Sequence, residues 1–65
     1  MENLMDGLLL EMNRARELKK EYDSIPSGKL ASMLIQLDID KAEQSIKDND
    51  VVEMVIALKF LKEIK

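Results

Sequence analysis

Four cations crowd the stretch ahead of the chain's single proline. Arg14, Arg16, Lys19 and Lys20 precede a Tyr22…Ile25-Pro26 corner, and Gly28-Lys29 follows it. Backbone N–H groups at a helix start, with arginines close by, are chemistry suited to holding a phosphate or carboxylate. On this reading the candidate ligand site is Arg14, Arg16, Lys20, Tyr22, Gly28 and Lys29. Tyr22 would offer a flat face and a polar tip. The ligand would be an anionic small molecule such as a nucleotide, gathered between copies of an oligomer. Glu17, Glu21 and Asp23 are interleaved with these cations and neutralise most of their field, so a solvated face is the competing account. Packing at the end of a helical hairpin is likewise the plainer account of Tyr22, Ile25 and Pro26.

Other chemistries lack their residues. The chain has no His and no Cys. That removes the commonest general base, thiolate zinc sites and disulfides. Ser24, Ser27, Ser32 and Ser45 therefore have no His to activate them, and no Gly-rich phosphate loop is present. Asp38, Asp40, Glu43, Asp48 and Asp50 suggest a cation loop, but Glu43 stands where such a loop needs Gly. They read instead as a solvated face and helix caps, with Glu43 and Lys47 as an (i, i+4) pair. The expectation is a protein that is not an enzyme and holds no metal or cofactor.

Composition narrows the setting. With 13 acidic and 10 basic side chains the formal charge is −3, which supplies no excess positive field for a nucleic-acid backbone. The longest uncharged stretch, Leu30 to Leu37, falls well short of the roughly 20 apolar residues that span a bilayer. Glu2 and Asp6 stand where a secretory signal would carry cations. The cytoplasm is the simplest location.

The elements that must position these groups are helices. Breaks at Asp23-Ser24-Ile25-Pro26-Ser27-Gly28 and Asp48-Asn49-Asp50 leave three segments, about 2–22, 27–47 and 51–64. The fold class is all-α, a three-segment helical hairpin or bundle in a single domain. In the first segment Leu4, Leu8, Met12, Ala15, Leu18 and Tyr22 recur at steps of three and four. The second, capped by Ser24 or Ser27, carries two stripes: Leu30, Met33, Leu34 and Leu37 on one, and Ala31, Ile35, Ile39, Ala42 and Ile46 on the other. The third opens on an Asp50…Glu53 capping pair. Its main stripe is Val51, Met54, Val55, Leu58 and Leu61, and Val52, Ile56, Ala57, Phe60 and Ile64 cover much of the remainder. Val51 to Ala57 is rich in β-branched residues, but length, the cap and the lack of a partner strand favour helix. Met12, Met33 and Met54 fall on stripes taken as core.

A chain of 65 residues buries only about 60% of the surface its unfolded state exposes. Without disulfides or metal, subunit association is the remaining staple. Two helices with spare apolar stripes point the same way. Burying 600 Å² of such surface would contribute roughly 15 kcal/mol before association costs. The expected interface residues are Ile35, Ile39, Ile46, Val52, Ile56 and Phe60.

The run Asn13-Arg14-x-Arg16-Glu17-Leu18, then Tyr22-x-x-Ile25-Pro26-x-Gly28, Ala42-Glu43-x-x-Ile46 and Asp50-Val51-Val52-Glu53-Met54, resembles small uncharacterised helical proteins of tailed bacteriophages and prophages. The resemblance spans most of the chain and departs from the group at Lys29-Leu30, where a Gly or Phe-Gly belongs to the pattern. It implies a bacterial host cytoplasm and an accessory protein that binds a host factor or a defence component. The two function classes drawn from the sequence are thus an oligomeric protein-binding module and a binder of small anionic ligands.

Overall fold

A computed structural model describes residues 3–65, and all of the secondary structure among them is helical. Helix α1 spans Leu4–Asp23, a 3₁₀ turn Pro26–Gly28 leads into α2 at Lys29–Lys47, and α3 spans Val51–Glu63. The expected start of the first helix at Glu2 lies outside the described residues. Each helix touches the other two, and the body measures 37 × 23 × 16 Å.

Local chemistry fixes the ends. The Asn3 side chain accepts from the Asp6 amide at 2.8 Å, capping α1. The Asp50 carboxylate accepts from the Glu53 amide at 3.1 Å, so the acidic half of the expected capping pair is in place on α3. Between α2 and α3 the turn is three residues long. Asn49 sits at φ 52°, in the left-handed region that Asn tolerates better than most residues. Its amide donates to the Ile46 carbonyl and that of Asp50 to the Ser45 carbonyl, both at 3.0 Å, which closes a Schellman motif. Asp50 thus ends one helix and begins the next.

The first turn departs from expectation. Neither Ser24 nor Ser27 caps α2; Gly28 holds the cap position without a side-chain bond. Ser24 instead closes α1, its hydroxyl donating to the Glu21 carbonyl at 2.7 Å. Pro26 presets φ at the start of the 3₁₀ turn, which continues directly into α2 and so lessens the need for a cap.

The core is one seam. Leu8, Met12 and Ala15 of α1 meet Ile35, Ile39 and Ala42 of α2 and Met54, Ala57 and Leu61 of α3. Leu4, Leu18, Tyr22, Ile46, Leu58 and Ile64 pack partly against it, so the α1 stripe read from the sequence faces inward as expected. On α2 the assignment of stripes is corrected. Ile35 and Ile39, expected at an interface between copies, are only 4% and 1% exposed within a single chain, and Ile46 is half-buried beside them. The other stripe faces outward, and Met33 with it.

Gly28 is buried where α2 passes under the end of α1. A Cβ there would run into the Tyr22 carbonyl, reaching its carbon at 3.0 Å. Because the obstacle is backbone, Gly28→Ala is expected to destabilise the fold by about 1–3 kcal/mol. Urea unfolding followed by circular dichroism checks this; an unchanged midpoint would refute the close approach.

Candidate functional site

The cations singled out by the sequence are placed by α1, but they do not converge. Arg14 turns away from the corner toward the end of α3. Its two terminal nitrogens donate to the Leu61 carbonyl at 2.6 Å and the Ile64 carbonyl at 3.0 Å, while Nε pairs with Glu11 at 2.9 Å. A guanidinium fork on the last carbonyls at a helix end is a cap, and its charge also complements the negative helix end. Arg14 is therefore committed to holding α3 on α1.

Arg16 is divided between Asn13 on its own helix and Glu43 on α2, both at 3.1 Å. Glu43 thus reaches Arg16, whereas the sequence paired it with Lys47. Lys19 meets Asp23 at 3.1 Å and Lys20 meets Glu17 at 3.3 Å, with the latter pair almost fully in solvent. The Tyr22 ring packs partly on the core and its hydroxyl donates to the Lys65 carbonyl at 2.7 Å. Gly28 is buried, and Lys29 is exposed with no ion-pair partner among the described residues. Of the six candidate ligand residues, two thus tie α1 to the end of α3, one ties α1 to α2, and one is a packing glycine. Lys20 makes an exposed pair within its own helix, and Lys29 faces solvent.

Asp23 is held in its charged form by its neighbours. The Ser32 hydroxyl, buried on α2, donates to its carboxylate, and the Lys19 ammonium adds a second bond. Both favour the ionised form, the Ser32 bond most, so the Asp23 pKa lies below its ordinary value. The same bond satisfies Ser32, and no buried side-chain nitrogen or oxygen among the described residues lacks a partner. Nor do three His, Cys, Asp or Glu side chains among them come together in a way that would hold a metal ion.

The surface without a partner lies elsewhere. On α2, Ser32 and Glu43, the residues that reach α1, project about 20° apart at 100° per residue. Leu30, Leu34 and Leu37 are turned from them by about 120–180°, and they are 68%, 54% and 54% exposed. On α3, Leu61 and Met54 point into the seam, while Val52, Ile56 and Phe60 project to the opposite side. Between the two helices on that side runs a groove of about 250 Å³, lined by Asp38, Lys41, Glu53, Ile56, Ala57 and Phe60. Helix α1 thus covers one face of the α2–α3 pair, and the other face is bare, apolar and grooved. Val52, Ile56 and Phe60, expected at an interface between copies, are exposed on it; Leu30, Met33, Leu34 and Leu37 are exposed in place of Ile35, Ile39 and Ile46.

One signal in the sequence distinguished the two α2 stripes. The inward stripe is accompanied by Ser32, Ala42 and Ser45, whose small side chains permit close helix approach. The outward stripe runs into Lys41 and Gln44 at its C-terminal end.

No protein-family model matches the chain, and no curated protein or solved structure is detectably similar to it.

Two outcomes test these placements. Arg14→Ala is expected to cost about 1–3 kcal/mol, toward the low end because the pair with Glu11 is partly exposed. Hydrogen exchange should then speed up at the last turn of α3, and unchanged protection there would contradict the cap. Ser32→Ala is expected to raise the Asp23 pKa toward the ordinary carboxylate range in a carbon-detected titration. Since the folded pKa is depressed, the bond stabilises at neutral pH and its benefit is lost as pH falls through that pKa. The difference in Tm between wild type and variant should shrink accordingly.

Proposed function

We propose that this chain is a non-enzymatic interaction module. It assembles as a homo-oligomer and binds and modulates a protein of a bacterial cytoplasm, as an accessory protein of a phage would modulate a host or defence component. The bare α2–α3 face carries this reading. Monomeric proteins rarely leave contiguous apolar patches of more than a few hundred Å² in water, and larger ones accompany binding surfaces. The chain exposes 4749 Å², against about 4,200 Å² for a compact monomer of its 7.5 kDa mass. The lack of His and Cys removes the usual nucleophile–base pairs, which favours binding over catalysis. Among the described residues no helix is long and apolar enough to cross a membrane, so the patch is not that of a spanning helix.

A second reading, an anionic small molecule such as a nucleotide held where copies meet, is favoured by one observation. Helix α2 opens at Gly28 without a side-chain cap, with Lys29 exposed beside it. Arg16 and Lys20, tied to carboxylates in the single chain, would have to exchange those partners for the ligand.

Capture from bacterial lysate with tagged wild type and with the doubly charged-face variant Leu34→Glu/Phe60→Glu separates the readings, alongside calorimetry against a panel of mono- and cyclic nucleotides. Specific capture by the assembled wild type is expected, and the variant, which breaks the assembly, is expected to lose it. Capture that ignores the variant, or no capture at all, contradicts the protein-binding reading. Heat with a nucleotide that Lys29→Ala abolishes would install the second reading in its place.

A further inference from the structure

We infer that the outer face of the α2–α3 pair is where one copy of this chain meets another, so that two α2–α3 layers stack face to face with the α1 helices outside. This rests on the oligomeric part of the proposed function and names the surface that builds it.

Area is the first argument. Leu30, Met33, Leu34, Leu37, Val52, Ile56 and Phe60, each between 42% and 68% exposed, together present on the order of 700 Å² of mostly apolar surface. A standard-size interface takes about 800 Å² from each partner, so this one face supplies nearly all that a stable pair of copies requires. A lone docked helix would cover the groove and leave much of the α2 stripe in water. A second two-helix layer covers both.

Charge is the second. A self-complementary contact about a two-fold axis needs both signs on the same patch, because each copy meets its own surface. The groove provides them: Asp38 and Glu53 lie along it together with Lys41, and a second groove of about 250 Å³ continues past Lys41 and Glu53 to Asp48. Lys59 stands at the rim on α3. None of these five side chains has an ion-pair partner among the described residues. The lysines of one copy are thus free to meet the carboxylates of the next. A face meant for an acidic or a basic partner would carry one sign.

The layer rule completes the case. Each helix of a small domain must bury its apolar stripe against another element. Here α1 closes one side of α2–α3, and stacking two such layers closes the other without unfolding anything.

Light scattering coupled to size exclusion, at about 10–200 μM, tests this with four chains: wild type, Leu34→Glu/Phe60→Glu, Lys41→Glu, and Leu10→Glu as a control on the outer side of α1, where Leu10 is 59% exposed. The wild type and the control are expected at about twice the 7.5 kDa chain mass or a higher multiple. The double variant is expected at one chain mass with its helical circular dichroism kept, because both substituted residues are exposed in the single copy. Lys41→Glu, which turns a mixed patch acidic, is expected to weaken association roughly tenfold or more, with added salt restoring part of the loss. Multimers untouched by both face variants would overturn this interface and leave the oligomeric reading standing. A wild-type chain that stays single throughout the range would overturn both. A single wild-type chain that still captures a bacterial protein through this face would give the face to a different occupant.

Discussion

The contact on which the rest of the molecule depends is the seam where Leu8, Ile39 and Leu61, all but fully buried, come together from three helices. Three helices of 20, 19 and 13 residues can enclose one such line of side chains and no more. The seam is narrow because it is flanked by Ala15, Ser32, Ala42, Ser45 and Ala57. Small residues bring the helix axes close, and close axes leave little room for the bulkier aliphatics, which are turned outward. The apolar outer face follows directly from the way the core is built.

Polar groups then fix what the seam alone would leave loose. Arg14 caps α3, Tyr22 reaches the Lys65 carbonyl, Asp23 accepts from Ser32 and Arg16 bridges to Glu43. Each bond joins α1 to another part of the chain, and three of them involve residues that the sequence marks as chemically interesting. Hydrogen bonds of this kind contribute about 1 kcal/mol apiece and more where a charge is involved. They matter here because a chain of 65 residues has a small core to rely on. Most of the basic character before Pro26 is accordingly spent inside the molecule, while the charges around the α2–α3 groove have no ion-pair partner among the described residues.

The surface follows a matching division. Where α1 lies over α2 and α3, cations and carboxylates are paired and most aliphatics are packed away. On the far side Leu30, Leu34, Leu37 and Val52 are exposed, and the groove lined by Ile56, Ala57 and Phe60 holds Asp38, Lys41 and Glu53 with no ion-pair partner among the described residues. That division between a finished side and an unfinished one is what an association surface requires: water-excluding area in the middle and charges able to exchange solvent for a partner.

The sequence by itself determined the number and bounds of the helices within a residue or two, because caps, breaks and the 3.6-residue period are local properties written in consecutive residues. It also determined which face of α1 turns inward, since that helix carries one apolar stripe. On α2, with two stripes of similar hydrophobicity, periodicity was silent on which one packs, and Ile35 and Ile39 changed places with Leu30, Met33, Leu34 and Leu37. The tertiary structure decided that, through how closely three backbones approach, and its one trace in the sequence is the small residues Ser32, Ala42 and Ser45 beside the inward stripe. The fate of Arg14 and Glu43 was equally out of reach, because their partners lie 50 and 27 residues away along the chain. Spacing along a helix records what a side chain has for neighbours within two turns, and nothing about what another helix will bring to it.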